Sequence, residues 1–220
     1  MAPAFSRNNA LALAVLTVLW NEPMHPYRMM QVLEQQRKDD DVHLTVGALY
    51  SLVEALMRHG LIEAVGSEQN GHRPPRTVYA VTDEGIEEAS RWIQDLLSHP
   101  SKEYPKFTAA LTSLAFLPPQ QVAELLRIRV QHLEESADEL ENIVRHSGLP
   151  EILLVEKEYA ATLTRAELTF TRSLIDRIES GALSGVAACQ SLHNRLAARG
   201  TKRPSADEIH ALTIELGLSS

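Results

Sequence analysis

Apolar residues recur at the helical period along most of this chain. Leu11, Val15, Val18 and Leu19 fall on one face of a helix over about 8–20, which Asn8 or Asn9 caps and Asn21-Glu22-Pro23 breaks. A second helix starts near Pro26, a residue suited to a first helical turn, turns Met29, Met30 and Leu33 inward, and frays from Gln35 to Lys38. A third starts with Thr45 as its cap and ends at His59, with Gly60 closing it. Its expected buried stripe is Val46, Leu49, Val53 and Leu56. The period then changes. Leu61 to Val65 reads as a short strand, Gly66 to Pro75 as a loop of turn formers, and the alternating Thr77 to Thr82 as a return strand. Thr82 or Asp83 caps a fourth helix, in which Ile86, Ala89, Ile93, Leu96 and Leu97 repeat at the helical period.

That order of elements outlines a winged helix-turn-helix, an arrangement that sets one helix in a DNA major groove and a hairpin beside it. Ser98-His99-Pro100-Ser101 marks the expected boundary, giving a DNA-binding domain over 1–99. Beyond it the pattern predicts a helix from Tyr104 to Leu117, a long helix from Pro119 to His146, a tight turn at Ser147-Gly148-Leu149-Pro150, and a second long helix from Glu151 to about Glu179. The first long helix carries the stripe Leu126, Leu133, Ala137, Leu140, Val144; the second carries Ile152, Val155, Tyr159, Leu163, Ala166, Phe170, Leu174. Two long helices on a short turn are antiparallel neighbours. Such a hairpin cannot bury both faces alone, and a second copy of the chain is the simplest partner. The expected organisation is mainly α: the winged domain, a C-terminal antiparallel long-helix dimerisation domain over 100–183, and a helical tail over 184–220. The tail holds helices at about 184–199 and 206–216, the latter opened by the capping-box pattern Ser205-x-x-Glu208.

Composition narrows the chemistry. The chain has 220 residues, 44% hydrophobic and 23% charged, which suits a globular protein. The apolar run from Ala10 to Trp20 is too short to span a bilayer. A single cysteine, Cys189, cannot form an intrachain disulfide, so the expected setting is reducing and cytoplasmic, with no membrane association. Signatures of a phosphate loop, a nucleophile elbow or a metal-ligand cluster are missing, so neither an enzyme nor a cofactor is expected.

Candidate chemistry lies in the third helix and the loop after it. Opposite the stripe, the third helix carries Thr45, Gly47, Ala48, Ser51, Glu54 and Arg58, with Tyr50 at the edge. Small residues in the first turns let a helix sit deep in a groove. There Ala48 can touch a thymine methyl, Ser51 can bond to either base type, and Thr45 with the first amides can meet a phosphate. An ordinary surface helix kept small for packing accounts for the same pattern. The loop Gly71-His72-Arg73-Pro74-Pro75-Arg76 is stiffened by proline and offers two arginines to backbone phosphate or a minor groove, unless their role is solubility alone. Trp92 is either an aromatic wall for a flat effector or core packing. The charge runs against a DNA reader: the chain is at -8, and residues 1–99 hold 8 Lys and Arg against 13 Asp and Glu. DNA binding is then expected to be salt-sensitive and to need two copies of the domain.

Taken in order, these pieces resemble the PadR family of bacterial transcriptional regulators over residues 8–98. The matching motifs are Pro26-Tyr27 opening the second helix, Gly47-x-Leu49-Tyr50 in the third, Gly60-Leu61-Ile62 after it, and Gly71-x-Arg73-Pro74 leading to Tyr79-x-x-Thr82-x-x-Gly85. The long hairpin resembles the virulence-activator-like C-terminal region of the larger members. The sequence departs from the family at Val46, where a proline is common, and in the few bases on the third helix. The resemblance implies a homodimeric repressor on a palindromic operator in double-stranded DNA, responding to a small aromatic effector. It implies that Tyr50 and its neighbours meet DNA from the recognition helix, that Tyr27 and Arg28 support the backbone, and that Arg73 and Arg76 act from the wing. A winged-helix module for protein–protein interaction, without DNA binding, is the alternative.

Overall fold

The computed structural model describes residues 7, 9–35, 45–69, 75–100 and 105–217. The chain divides into two compact units, Met1–Glu103 and Tyr104–Ser220.

In the first unit, α1 (Ala10–Asn21) begins where the Asn9 side chain accepts from the Leu11 amide at 3.1 Å. It buries Leu11, Ala12, Val15, Leu16, Val18 and Leu19, so it is a core helix on most of its circumference. Around it pack α2 (Pro26–Gln35), α3 (Val46–Arg58) and α4 (Asp83–Ser98), contributing Met29 and Leu33, then Leu49, Leu52, Val53 and Leu56, then Ala89 and Trp92. Each large side chain removed from water here stabilises the unit by about 1.5–3 kcal/mol before entropy is counted. Strands β1 (Ile62–Glu68) and β2 (Arg76–Val81) pair antiparallel, with a register shift between Ala64 and Gly66. The strand pair is therefore longer than the expected one, and the intervening loop is shorter. Of that loop, Gly71, His72, Arg73 and Pro74 lie outside the described residues.

Two expectations about buried faces are corrected. Val46 is 59% exposed, and Leu52 takes the core position instead, because α3 turns its first-turn residues away from α1 and packs from Leu49 onward. On α4, Gly85, Ala89 and Trp92 face the core, while Ile86, Ile93, Leu96 and Leu97 are exposed. The cause is the tight seating of α4: a Cβ on Gly85 would lie 2.0 Å from the Leu61 carbonyl oxygen. That seating turns the Gly85 face inward and rotates the isoleucines outward.

The second unit opens with α5 (Lys106–Leu111) and a 3-10 turn (Leu114–Phe116), where one helix was expected. The Thr112 hydroxyl donates back to the Ala109 carbonyl at 2.8 Å, and Ser113 leaves the helical region, so the helix ends there. The long helices α6 (Pro119–His146) and α7 (Val155–Glu179) follow, with a 3-10 turn at Glu151–Leu153 between them. Their register is held by ion pairs across the seam: Arg129 to Glu167 (2.6 Å), Arg165 to Glu141 (2.6 Å) and to Asp138 (2.9 Å), and Arg172 to Glu134. The Arg165 guanidinium bond holds the Glu141 carboxyl below the usual carboxylate range.

The expected inward stripe of α7 is also corrected. Of its members, Leu174 is buried; Ile152, Val155, Tyr159, Leu163, Ala166 and Phe170 are exposed. The buried face is Ala161, Leu168, Thr171, Leu174, Ile175 and Ile178. Small side chains, Ala137 on α6 and Ala161 and Thr171 on α7, let the helices approach, and the larger apolar face is left outside. Finally α8 (Val186–Ala198) buries Ala188, Leu192 and Leu196, and α9 (Ala206–Glu215) starts at a complete capping box between Ser205 and Glu208. No described helix is long and apolar enough to cross a membrane.

Candidate nucleic-acid interface

The candidate site draws on three parts of the first unit: the start of α2, the exposed face of α3 and the first residue of β2. The segment before α2 makes the decisive link. Met24 pairs with Tyr79 as an antiparallel bridge, its amide on the Tyr79 carbonyl (3.0 Å) and the Tyr79 amide on its carbonyl (3.1 Å). This ties the entry of α2 to β2, though more than fifty residues separate them. His25 follows, buried, and its Nδ1 accepts from the Arg28 amide at 3.0 Å, so it acts as the side-chain cap of α2. A ring nitrogen that accepts leaves its proton on Nε2, which faces the Glu68 carboxylate at 3.6 Å. His25 also stacks on Tyr27, with ring centroids 6.2 Å apart.

Tyr27 is half-exposed, and the Arg76 guanidinium lies 4.9 Å from its ring centroid. This corrects the expected position of Arg76. It does not project from a loop tip: it is the first residue of β2, opposite Glu68, with its side chain drawn over Tyr27. Arg28 is exposed on the same helix. Arg73 lies outside the described residues.

On α3 the Thr45 hydroxyl accepts from the Ala48 amide at 3.2 Å, so its oxygen is engaged as the cap. Val46, Gly47, Ala48, Tyr50, Ser51, Glu54, Met57 and Arg58 are all exposed. A Cβ on Gly47 would meet nothing within 4 Å, so the first turns of α3 present a low, open surface with the Tyr50 ring beside it. The far end of α3 is anchored at Gly60, whose φ of 69° is the left-handed conformation that ends a helix. The Gly60 carbonyl accepts from the Thr82 hydroxyl at 2.7 Å, the Leu61 carbonyl accepts from the Thr82 amide at 3.1 Å, and the Thr82 hydroxyl caps α4 through the Gly85 amide at 3.1 Å. One threonine thus fastens α3, the hairpin and α4 to each other.

Tyr27, Arg28, Thr45, Gly47, Ala48, Tyr50, Ser51 and Arg76 all lie in the first unit, and of these Tyr27 and Arg76 are in contact. Trp92 stands apart. At 3% exposure it packs in the core of the first unit and presents no open aromatic wall in the single chain. His25 and Glu68 were not singled out from sequence; the available signal was a histidine placed immediately before the helix-opening Pro26-Tyr27. Arg7 is occupied elsewhere, on Glu88 (2.8 Å) and Asp95. With Arg91 it holds the Glu88 carboxyl below its ordinary value. In the second unit, burial pushes the Cys189 thiol up, which disfavours the thiolate.

The family model of the transcriptional regulator PadR-like family matches residues 15–91. No curated protein matches the chain. Among solved structures, Bacillus subtilis PadR in complex with operator DNA is 15% identical, with a TM-score of 0.61 over 77% of this chain and 99% of that one. The same protein in complex with p-coumaric acid is 15% identical, with a TM-score of 0.62 over 78% and 99%. The Vibrio cholerae virulence activator AphA is 13% identical, with a TM-score of 0.59 over 77% and 98%. At these identities the solved structures show a shared fold, in which the winged unit and the long helices both take part. The family is one of transcriptional regulators rather than enzymes. Residues 15–91, which hold α2, α3, the hairpin and the Thr82 junction, are the part of the chain that matches the transcriptional regulator PadR-like family.

Proposed function

We propose that the chain is a DNA-binding transcriptional regulator that works as a homodimeric repressor on a palindromic operator and responds to a small molecule. One observation carries the reading: the low, exposed face of α3, bearing Gly47, Ala48, Tyr50 and Ser51, lies in the same winged unit as the Tyr27–Arg76 pair. Small side chains let α3 enter a major groove, while Tyr27, Arg28, Arg73 and Arg76 meet the phosphates on either side. The first unit is acidic in sum, so affinity rests on these few bases and on two copies of the unit acting together. The apolar face left open on α7, with Tyr159, Leu163 and Phe170, supports a second copy as partner. The operator complex and the p-coumaric acid complex of the B. subtilis relative support an operator and an effector respectively.

The acidic balance favours a second reading, a winged helix that binds protein rather than DNA. Fluorescence anisotropy with DNA from upstream of the chain's own gene, across a salt series, separates the two. Tight binding that weakens steeply with salt and is lost in Arg73→Ala/Arg76→Ala is the expected result. Absence of binding to that DNA and to a genome-wide fragment pool at low salt would sink the DNA reading.

A further inference from the structure

We propose that the tail helices α8 and α9 close a binding site in the second unit for a hydrophobic monocarboxylic acid with an aliphatic body. The site is a cavity of about 960 Å³ between residues 113–121, α8, the connection at 200–204, and α9. That volume lies within the roughly 300–1,000 Å³ usual for small-molecule sites.

Three observations determine the class of ligand. The walls are mainly aliphatic: Leu117, Leu192, Leu196, Ile209 and Leu212 line the cavity, and Phe116 is the one carbocyclic ring among them. Its ionisable lining residues are His193 and Lys202, and no carboxylate lines it among the described residues, although the whole chain carries 29 Asp and Glu against 21 Lys and Arg. An apolar space with a cation and hydrogen-bonding groups (Ser113, Gln121 and Thr201) at its edge fits an amphipathic anion. The third observation concerns α9, which buries none of its residues in the described structure. It is a ten-residue helix, too short to be stable on its own. The Ser205–Glu208 capping box and the Arg199–Glu208 pair at 2.8 Å hold its first turn. Its apolar side chains Ile209 and Leu212 face the cavity. An aliphatic ligand would give α9 the core contacts it lacks. The opposite wall is pinned through His193 Nε2, which is 3.1 Å from the Ala115 carbonyl oxygen.

The inference stands apart from DNA binding and is tested on the full chain without DNA. Decanoate is titrated by isothermal calorimetry, with decanol as the uncharged control, and amide hydrogen exchange is followed in α9. The expected result is decanoate binding with Kd on the order of 1–100 µM, decanol at least about fivefold weaker, and slower exchange in 206–215 on binding. Lys202→Glu, at an exposed position, should weaken decanoate at least about tenfold and leave decanol unchanged. Ala197→Trp, which fills the cavity from an exposed position on α8, should abolish binding of both while far-UV circular dichroism keeps its helical amplitude. The proposal is overturned by absence of decanoate heat, by equal affinity for the two probes, or by binding that Ala197→Trp leaves intact. It is equally overturned if neither probe binds and Leu212→Glu instead dissociates an oligomer, since the occupant is then a second copy of the chain.

Discussion

Replacing Gly85 with alanine sets two terms of known sign against each other. Gly85 lies in the first turn of α4, where alanine is intrinsically better than glycine by at most about 1 kcal/mol. Against this, the added Cβ would sit 2.0 Å from the Leu61 carbonyl oxygen and 2.8 Å from Val81 Cγ2. The first contact is with backbone, which cannot swing aside as a flexible side chain can. The Leu61 carbonyl also accepts the Thr82 amide at 3.1 Å, and Thr82 caps α4 and reaches Gly60. Relieving the clash therefore strains the one residue that fastens α3, β1 and α4 together. Overpacking costs about 1–3 kcal/mol and a lost cap about 1 kcal/mol, so after the alanine gain is subtracted the net expectation is a loss of about 1–3 kcal/mol. For a unit of about 100 residues, that lowers Tm by roughly 5–20 °C. Both tryptophans, Trp20 and Trp92, lie in the first unit, so thermal unfolding followed by tryptophan fluorescence reads this unit selectively. Gly47→Ala is the matched comparison. With nothing within 4 Å of its Cβ, it should stabilise the same unit by about 0.5 kcal/mol while weakening DNA binding, because it raises the surface proposed to enter the groove. A Gly85→Ala protein as stable as the parent would refute the close approach of α4 and the junction reasoning built on it.

Other outcomes follow from the same geometry. Arg76→Ala should reduce the slope of log affinity against log salt by about 0.9, whereas Arg76→Lys should keep the slope and lose about 0.5–1 kcal/mol through the Tyr27 ring contact; a salt series with both variants checks this. Arg7 and Arg91 hold the Glu88 carboxyl below its ordinary value, so its contribution is fully present above the unfolded carboxylate pKa of about 4.3 and is lost as pH falls through the lower folded value. Glu88→Gln should remove that part of the acid sensitivity, about 0.5–1 kcal/mol, in urea titrations taken from pH 6 downward. Leu163→Glu, on the exposed apolar face of α7, should leave the helical content unchanged and shift the mass in light scattering from dimer to monomer.

Read from one end to the other, the sequence by itself determined where α1, α3, α4 and α9 start. Asn9, Thr45, Thr82 and the Ser205–Glu208 box each act on amides within three positions of themselves, so their signals survive in a linear reading. The winged order of elements was legible for the same reason, since helical and alternating periods are properties of adjacent residues. Which face of each helix is buried was decided only by tertiary structure. An apolar residue such as Val46, Tyr159 or Phe170 satisfies the period of its own helix on either of two faces, and the choice belongs to a neighbour far along the chain. Gly85 against Leu61 makes that choice for α4 and draws Trp92 into the core; the small buried residues Ala137 on α6 and Ala161 and Thr171 on α7 make it for α7. The same holds for the candidate interface. Tyr27 and Arg76 meet because the Met24–Tyr79 bridge closes a loop of more than fifty residues, and a hydrogen bond between backbone groups leaves no mark on side-chain identity at either end.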